Sequence, residues 1–203
     1  MRAYLGSAVL FGTLVVVFVL ELATSAVGND ARLITLGALP GTGQLDGEYW
    51  RVVTFGFLHY DLIHILLNTV LLVACAPIAE RRVGASWLLI LFLTASIVSG
   101  IGILLKHSFI LSQGASVGAS GGLFGLLGAA IVLVLRFPAK SRAIPVALIV
   151  VLVLGLTYSV LPGISMVGHV SGLVVGAAVA CFIPFAELAH SAPGAQRTRS
   201  SGP

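Results

Sequence analysis

The chain has 203 residues, of which 58% are hydrophobic and only 9% charged, with a mean hydropathy of +1.10. A soluble domain carries about 25% charged residues, so the composition excludes a soluble globular protein and points to an integral, multi-pass membrane protein. The net charge of +4 does not call for a nucleic-acid partner, because its distribution along the chain has a topological explanation given below.

A helical span needs about 20 apolar residues. The first run, Tyr4–Val27, has no small-residue cleavage site ahead of a soluble domain, so it is expected to be a span and not a removable leader. About 30 polar-rich residues follow, holding Asp30, Arg32, Asp46, Glu48, Trp50 and Arg51. The second run, Leu58–Ala79, carries His59 at its outer boundary and then His64 and Asn68. These last two are four apart and share one helix face. The third run is Ser86–Leu105. The fourth, Gly118–Leu135, is opened by the stretch "GASVGASGGLFG" and contains Ser120. The fifth is Ala143–Val160. The sixth, Ile164–Phe185, contains His169.

The expected fold is therefore an all-α polytopic bundle of six transmembrane helices, one membrane domain over residues 1–187. Residues 188–203 (beginning after Glu187) are polar and expected to form a disordered cytoplasmic tail. No internal repeat or second domain is evident. Cys75 and Cys181 lie in apolar runs and are expected to be free thiols of the core.

Orientation follows from Lys and Arg. With the N-terminus inside, the inner segments hold Arg2, Arg81, Arg82, Arg136, Lys140, Arg142, Arg197 and Arg199, and the outer ones hold only Arg32, Arg51 and Lys106. That bias satisfies the positive-inside rule and makes both termini cytoplasmic.

Strongly polar groups inside spans are costly and point to function. Taken singly, a serine often hydrogen-bonds its own helix backbone, and a His or Asn often joins neighbouring helices. Their depths argue for more. Ser120 lies sixteen positions before Arg136 and His64 sixteen before Glu80, about 24 Å each at 1.5 Å per residue. His169 lies eighteen before Glu187, about 27 Å on the same scale. In a hydrocarbon core about 30 Å thick, all three sit at matched depth below the outer surface, with Asn68 one turn deeper. Glycine stripes at Gly121, Gly125 and Gly128, and at Gly168, Gly172 and Gly176, let the fourth and sixth spans approach closely. That approach would bring Ser120 and His169 within hydrogen-bond reach.

A serine hydroxyl needs a base to become a good nucleophile, and His is the usual base near neutral pH. Acyl transfer also needs donors for the developing oxyanion. Asn68 offers an amide N–H, His64 an imidazole N–H and Ser120 its own backbone N–H. The nearest acids, Glu21 and Asp61, are not placed to orient His169, so the expected catalytic unit is a Ser–His dyad. The match of "GASGG" to the G-x-S-x-G elbow fails, because no strand precedes it. There is no H-E-x-x-H. The histidines His59, His64 and His169 have no carboxylate but Asp61 to orient them on a metal, so no metal site is expected.

These residues resemble a known family. "GASGGLFG" (residues 118–125) resembles the G-x-S-G motif of rhomboid intramembrane serine proteases, and "LHYDLIHILLN" has the spacing of the rhomboid second helix. "GHVSGLVVG" resembles the sixth helix, "EYWRVVTFGFLH" carries the Trp-Arg pair of the first loop, and "ERRVG" resembles the inner end of the second helix. The resemblance implies a six-helix bundle with a cavity open to the outside. It implies Ser120 as nucleophile, His169 as general base and then acid, and His64, Asn68 and the Ser120 backbone N–H as the oxyanion hole. Phe124 would lie against the His169 ring, and Gly118 and Gly121 would permit close backbone approach. Trp50 and Arg51 would brace the outer loop, and His59 would support the site. Residues 160–168 would cap the cavity, with the fifth span as a lateral gate. The implied partners are transmembrane protein substrates and the lipid bilayer, with no cofactor. The short ends imply a minimal form in a prokaryotic plasma membrane. Two other readings are a catalytically silent, client-binding relative and a small transporter, though the latter class shows inverted repeats not found here.

Overall fold

The computed structural model describes residues 4–110, 114–137 and 142–183. The expected boundary at 187 and the tail, together with Arg2, Lys140, Arg197 and Arg199, lie outside the described residues. All regular structure in the described residues is helical, apart from one antiparallel bridge between Leu39 and Ser116. The helices are α1 (Leu5–Ala23), α2 (Asp30–Leu36), α3 (Arg51–Thr54), α4 (Leu62–Phe109), α5 (Ser120–Arg136), α6 (Ala143–Tyr158) and α7 (Met166–Phe182).

Two helices, α1 and α4, are long and apolar enough to cross a membrane, and α5, α6 and α7 are shorter apolar helices. A straight helix of 48 residues would run about 72 Å, more than twice a bilayer core. The chain avoids this at Gly84, whose φ of 80° and ψ of 171° break α4 into limbs 62–83 and 85–109. The expected six-residue connection after Ala79 is thus helical on both sides of a single left-handed glycine. Only Gly adopts that conformation without strain.

Glu80 fixes the start of α1 against this turn. Its buried carboxylate accepts from the Gly6 and Ser7 backbone N–H groups at 2.7 and 2.8 Å and from the Ser7 hydroxyl at 2.5 Å. These N–H groups belong to the first turn of a helix, where backbone donors lack intrahelical acceptors and the dipole favours an anion. At the other end of α1, buried Glu21 accepts from the His59 backbone N–H at 2.7 Å. So α1 runs antiparallel to the first limb of α4.

The central pair is α5 and α7, which run parallel with their glycines interleaved. A Cβ on Gly172 would strike the Gly121 carbonyl, one on Gly176 the Gly125 carbonyl, and one on Gly128 the Leu173 carbonyl. Helix α5 also abuts the second limb of α4, where Phe92, Ala95 and Ser99 fill the space over Gly122, Gly125 and Gly121. At the far end Arg136 donates to the Ala180 and Cys181 carbonyls, both at 2.8 Å. This satisfies the last carbonyls of α7 with a cation. Cys75 is buried as expected, but Cys181 is exposed. A lipid-facing position is as apolar as a core position, so hydropathy does not separate them. By contrast α6 is thinly packed, with Leu148 its one fully buried residue.

Candidate active site

Ser120 is the first residue of α5, and the residue before it, Ala119, provides no side-chain cap. The backbone N–H groups of this first turn, Ser120's among them, therefore have neither an intrahelical acceptor nor a capping side chain. The approach to the helix is tight. Gly118 has φ +136°, and a Cβ there would sit 2.8 Å from Cε1 and Nε2 of His64 and 3.6 Å from Ser120 Oγ. That one point therefore lies beside both the His64 ring edge and the serine hydroxyl. Ser116, the other serine of the repeated Gly-Ala-Ser, is held by its main chain in the bridge to Leu39, at 3.0 and 2.8 Å.

His169 stands on the first turn of α7, which Ser165 caps by accepting from the Gly168 N–H at 3.1 Å. Its Nε2 lies 2.7 Å from Ser120 Oγ. Its other nitrogen, Nδ1, lies 2.5 Å from Ser159 Oγ. The Phe124 ring, one turn after Ser120, stacks on the imidazole with centroids 4.3 Å apart and planes 8° from parallel. Behind Phe124 is Gly155 of α6, where a Cβ would come within 2.7 Å of the ring's Cζ. Three helices thus hold the imidazole: α7 carries it, α5 supplies Ser120 and Phe124, and the end of α6 supplies Ser159.

His64 and Asn68 lie on one face of α4. Asp61 caps that helix by accepting from the His64 N–H at 2.7 Å, and the Tyr60 N–H points at His64 Nδ1 at 3.5 Å. Asn68 is buried and its Nδ2 has no hydrogen-bond partner among the described residues. His59 is fully buried behind them. Its ring meets the His64 ring edge-on at 5.2 Å and the Phe18 ring at 6.4 Å. Neither Glu21 nor Asp61 serves His169, the one bonding to His59 and the other capping α4.

Trp50 and Arg51 stand apart from the hydroxyl and imidazole groups. The Arg51 guanidinium lies 4.8 Å over the Trp50 ring. It donates to the Glu48 carboxylate at 2.6 and 2.8 Å, to the Ala38 carbonyl at 3.0 Å and to the Ile34 carbonyl. Leu39, next to Ala38, bridges Ser116, and Phe55 accepts from the Gly118 N–H at 3.0 Å. The loop that carries Trp50 and Arg51 is in this way tied to the segment that delivers Ser120.

Ser159 was not legible as a partner of His169. An acid is the usual companion of a catalytic imidazole, and Ser159 reads as one of three hydroxyl-bearing residues closing the fifth apolar run. The available signal was its spacing, ten residues before His169 across a turn containing Pro162 and Gly163.

A family profile described as the Rhomboid domain matches residues 46–184, and these residues include every group just described apart from Phe18, Glu21, Ile34 and Ala38–Leu39. The chain belongs to the rhomboid family. Curated relatives agree. The rhomboid protease GluP of Bacillus subtilis is 32% identical over 161 residues, covering 77% of this chain and 31% of that protein. The rhomboid protease GlpG of Yersinia pestis is 30% identical over 167 residues, covering 80% of this chain and 56% of that protein. Rhomboid-like protease 3 of Toxoplasma gondii is 27% identical over 157 residues, or 76% of this chain and 59% of that protein. The chain thus matches between 31% and 59% of the length of these relatives. As a rhomboid with long apolar helices, it is an integral membrane protein.

Proposed function

We propose that this rhomboid is an intramembrane serine endopeptidase that cleaves transmembrane segments of other membrane proteins. The observation that carries the reading is the 2.7 Å approach of Ser120 Oγ to His169 Nε2 at the head of an apolar helix. In the proposed reaction Ser120 Oγ attacks the scissile carbonyl while His169 Nε2 takes its proton. The Ser120 N–H, the unpartnered Asn68 amide and the His64 imidazole stabilise the oxyanion. His169 then protonates the leaving amine, and water releases the acyl group by the reverse sequence.

Six spans are part of this reading. The two limbs of α4 count as two, and α5, α6 and α7 at about 24–26 Å each nearly match a bilayer core. Arg81, Arg82, Arg136 and Arg142 at the end opposite Ser120 support a site that opens to the outside, with both termini in the cytoplasm, as in a prokaryotic plasma membrane. The expected substrates expose a peptide bond near their outer end through small or helix-breaking residues.

The test is cleavage of a model transmembrane substrate by purified protein in liposomes. Ser120→Ala and His169→Ala are each expected to abolish cleavage while the protein remains folded. A fluorophosphonate probe should label the wild type and Ser116→Ala but not Ser120→Ala. Cleavage by Ser120→Ala would overturn the assignment, and a wild type inert to both substrate and probe would favour the client-binding reading.

A further inference from the structure

We propose that Ser159 is the positioning residue for His169, setting the tautomer in which the imidazole can act as a base. This inference rests on the protease reading and extends it beyond a Ser–His dyad.

The argument is a count of protons. Ser159 Oγ has two neighbours, the Gly155 carbonyl at 2.7 Å and His169 Nδ1 at 2.5 Å. A carbonyl can only accept, and a hydroxyl has one proton to give. The Ser159 proton therefore goes to Gly155, and its oxygen is left to accept. The group facing it, Nδ1, must then carry the imidazole's proton. A neutral imidazole has only one N–H, so Nε2 bears the lone pair, and that lone pair faces the Ser120 hydroxyl at 2.7 Å. The chain runs in one direction: Ser120 O–H to Nε2, Nδ1–H to Ser159 Oγ, Ser159 O–H to the Gly155 carbonyl. When His169 takes the Ser120 proton, the Nδ1–H···Oγ bond becomes charge-assisted and strengthens. No proton needs to pass beyond Nδ1.

The surroundings fit this role. Ser159 is 3% and His169 6% exposed, so bulk water does not compete for Nδ1. An ionised carboxylate in the same apolar position would carry a large desolvation penalty, whereas a hydroxyl already bonded to its own helix does not. Among the described residues no acid hydrogen-bonds His169, and Ser159 is the one side chain on Nδ1. The stack with Phe124 fixes the ring plane, and Ser159 fixes which nitrogen is which.

The experiment compares Ser159→Ala, Ser159→Thr and Ser159→Val in the full-length protein, reconstituted with a transmembrane substrate. Thr and Val have the same shape, so their difference isolates the hydroxyl. Ser159→Ala and Ser159→Val are expected to lower kcat roughly 10- to 100-fold, part of what a general base contributes, with KM within about twofold. Ser159→Thr should recover most of the activity. In parallel, ¹⁵N NMR of labelled imidazole in the Ser120→Ala background reads the tautomer. The Nδ1–H form should dominate with Ser159 in place and lose that dominance when Ser159→Ala is added. Wild-type kcat and an unchanged tautomer in Ser159→Ala, or Thr no better than Val, would overturn the proposal. That outcome with Ser120→Ala and His169→Ala still inactive leaves the protease reading intact, whereas cleavage by Ser120→Ala removes both.

Discussion

Asn68 is an uncomfortable residue as the protein stands. Its side chain is buried and its amide nitrogen makes no hydrogen bond among the described residues. A buried donor left unpaired costs about 1–3 kcal/mol. In the proposed reaction a transition-state oxyanion would give that donor a partner, so the same group would be unfavourable at rest and favourable in the transition state. Asn68→Ala is expected to lower turnover about 10²–10³-fold, the usual loss for one oxyanion donor, with no fall in melting temperature in detergent. Wild-type turnover would remove Asn68 from the oxyanion hole. At this scale the sequence was informative where spacing carried the signal. His64 and Asn68 at i and i+4, and Ser120 and His169 at matched depth, could be read because helix geometry converts residue number into position. Ser159 could not, because its role depends on how the turn between α6 and α7 folds back, and hydropathy says nothing about that. The buried ring of His59, packed between Phe18 and His64 with no hydrogen bond to its nitrogens among the described residues, was equally hidden: its position was readable and its surroundings were not.

The two glycine stripes are the element-scale counterpart, and their geometry makes a sharp demand. A Cβ on Gly172 would overlap the Gly121 carbonyl, which is backbone and cannot swing aside. Overpacking of this kind costs about 1–3 kcal/mol or more. Relief by separating α5 from α7 would also pull Ser120 away from His169, since both sit at the head of the same interface. Gly172→Ala is thus expected to lower the melting temperature in detergent and to reduce cleavage, including cleavage per folded molecule. Gly12→Ala is the control, because nothing lies within 4 Å of a Cβ there, and Ala favours the helix by up to about 1 kcal/mol. If Gly172→Ala matches the wild type in both measurements, the close approach is not what holds the two helices in register. Stripes at helical spacing were readable in sequence because membrane helices pack through small residues. The reversal at Gly84 was not. It rests on one positive φ inside a run of good helix formers, and averaged hydropathy shows only a polar gap between two apolar segments.

At the scale of the whole molecule, α1 is held at both ends by carboxylates that come from opposite directions. Glu21 reaches across to the backbone of His59 near the candidate active site, while Glu80 receives the first turn of α1 beside the Gly84 reversal. The two anchors lie about a bilayer apart, since Glu80 follows His64 by sixteen residues, about 24 Å of helix. Stability and chemistry should therefore separate. Glu80→Ala would leave two buried N–H groups and the Ser7 hydroxyl without their acceptor. Hydrogen bonds to a charged group contribute about 1.5–3 kcal/mol each, and the helix dipole adds to the loss. Three such bonds at the low end of that range make a fall in unfolding free energy of roughly 4–5 kcal/mol the expected outcome, measured by denaturation in mixed micelles. Glu80→Gln keeps one acceptor oxygen and should fall by roughly half as much. Turnover per folded molecule, normalised by fluorophosphonate labelling of Ser120, should stay near wild type in both. A catalytic loss in Glu80→Gln at full labelling would mean that the N-terminal end of α1 and the candidate site are coupled through the bundle. The separation of anchor and chemistry along α4 would then be only one of distance.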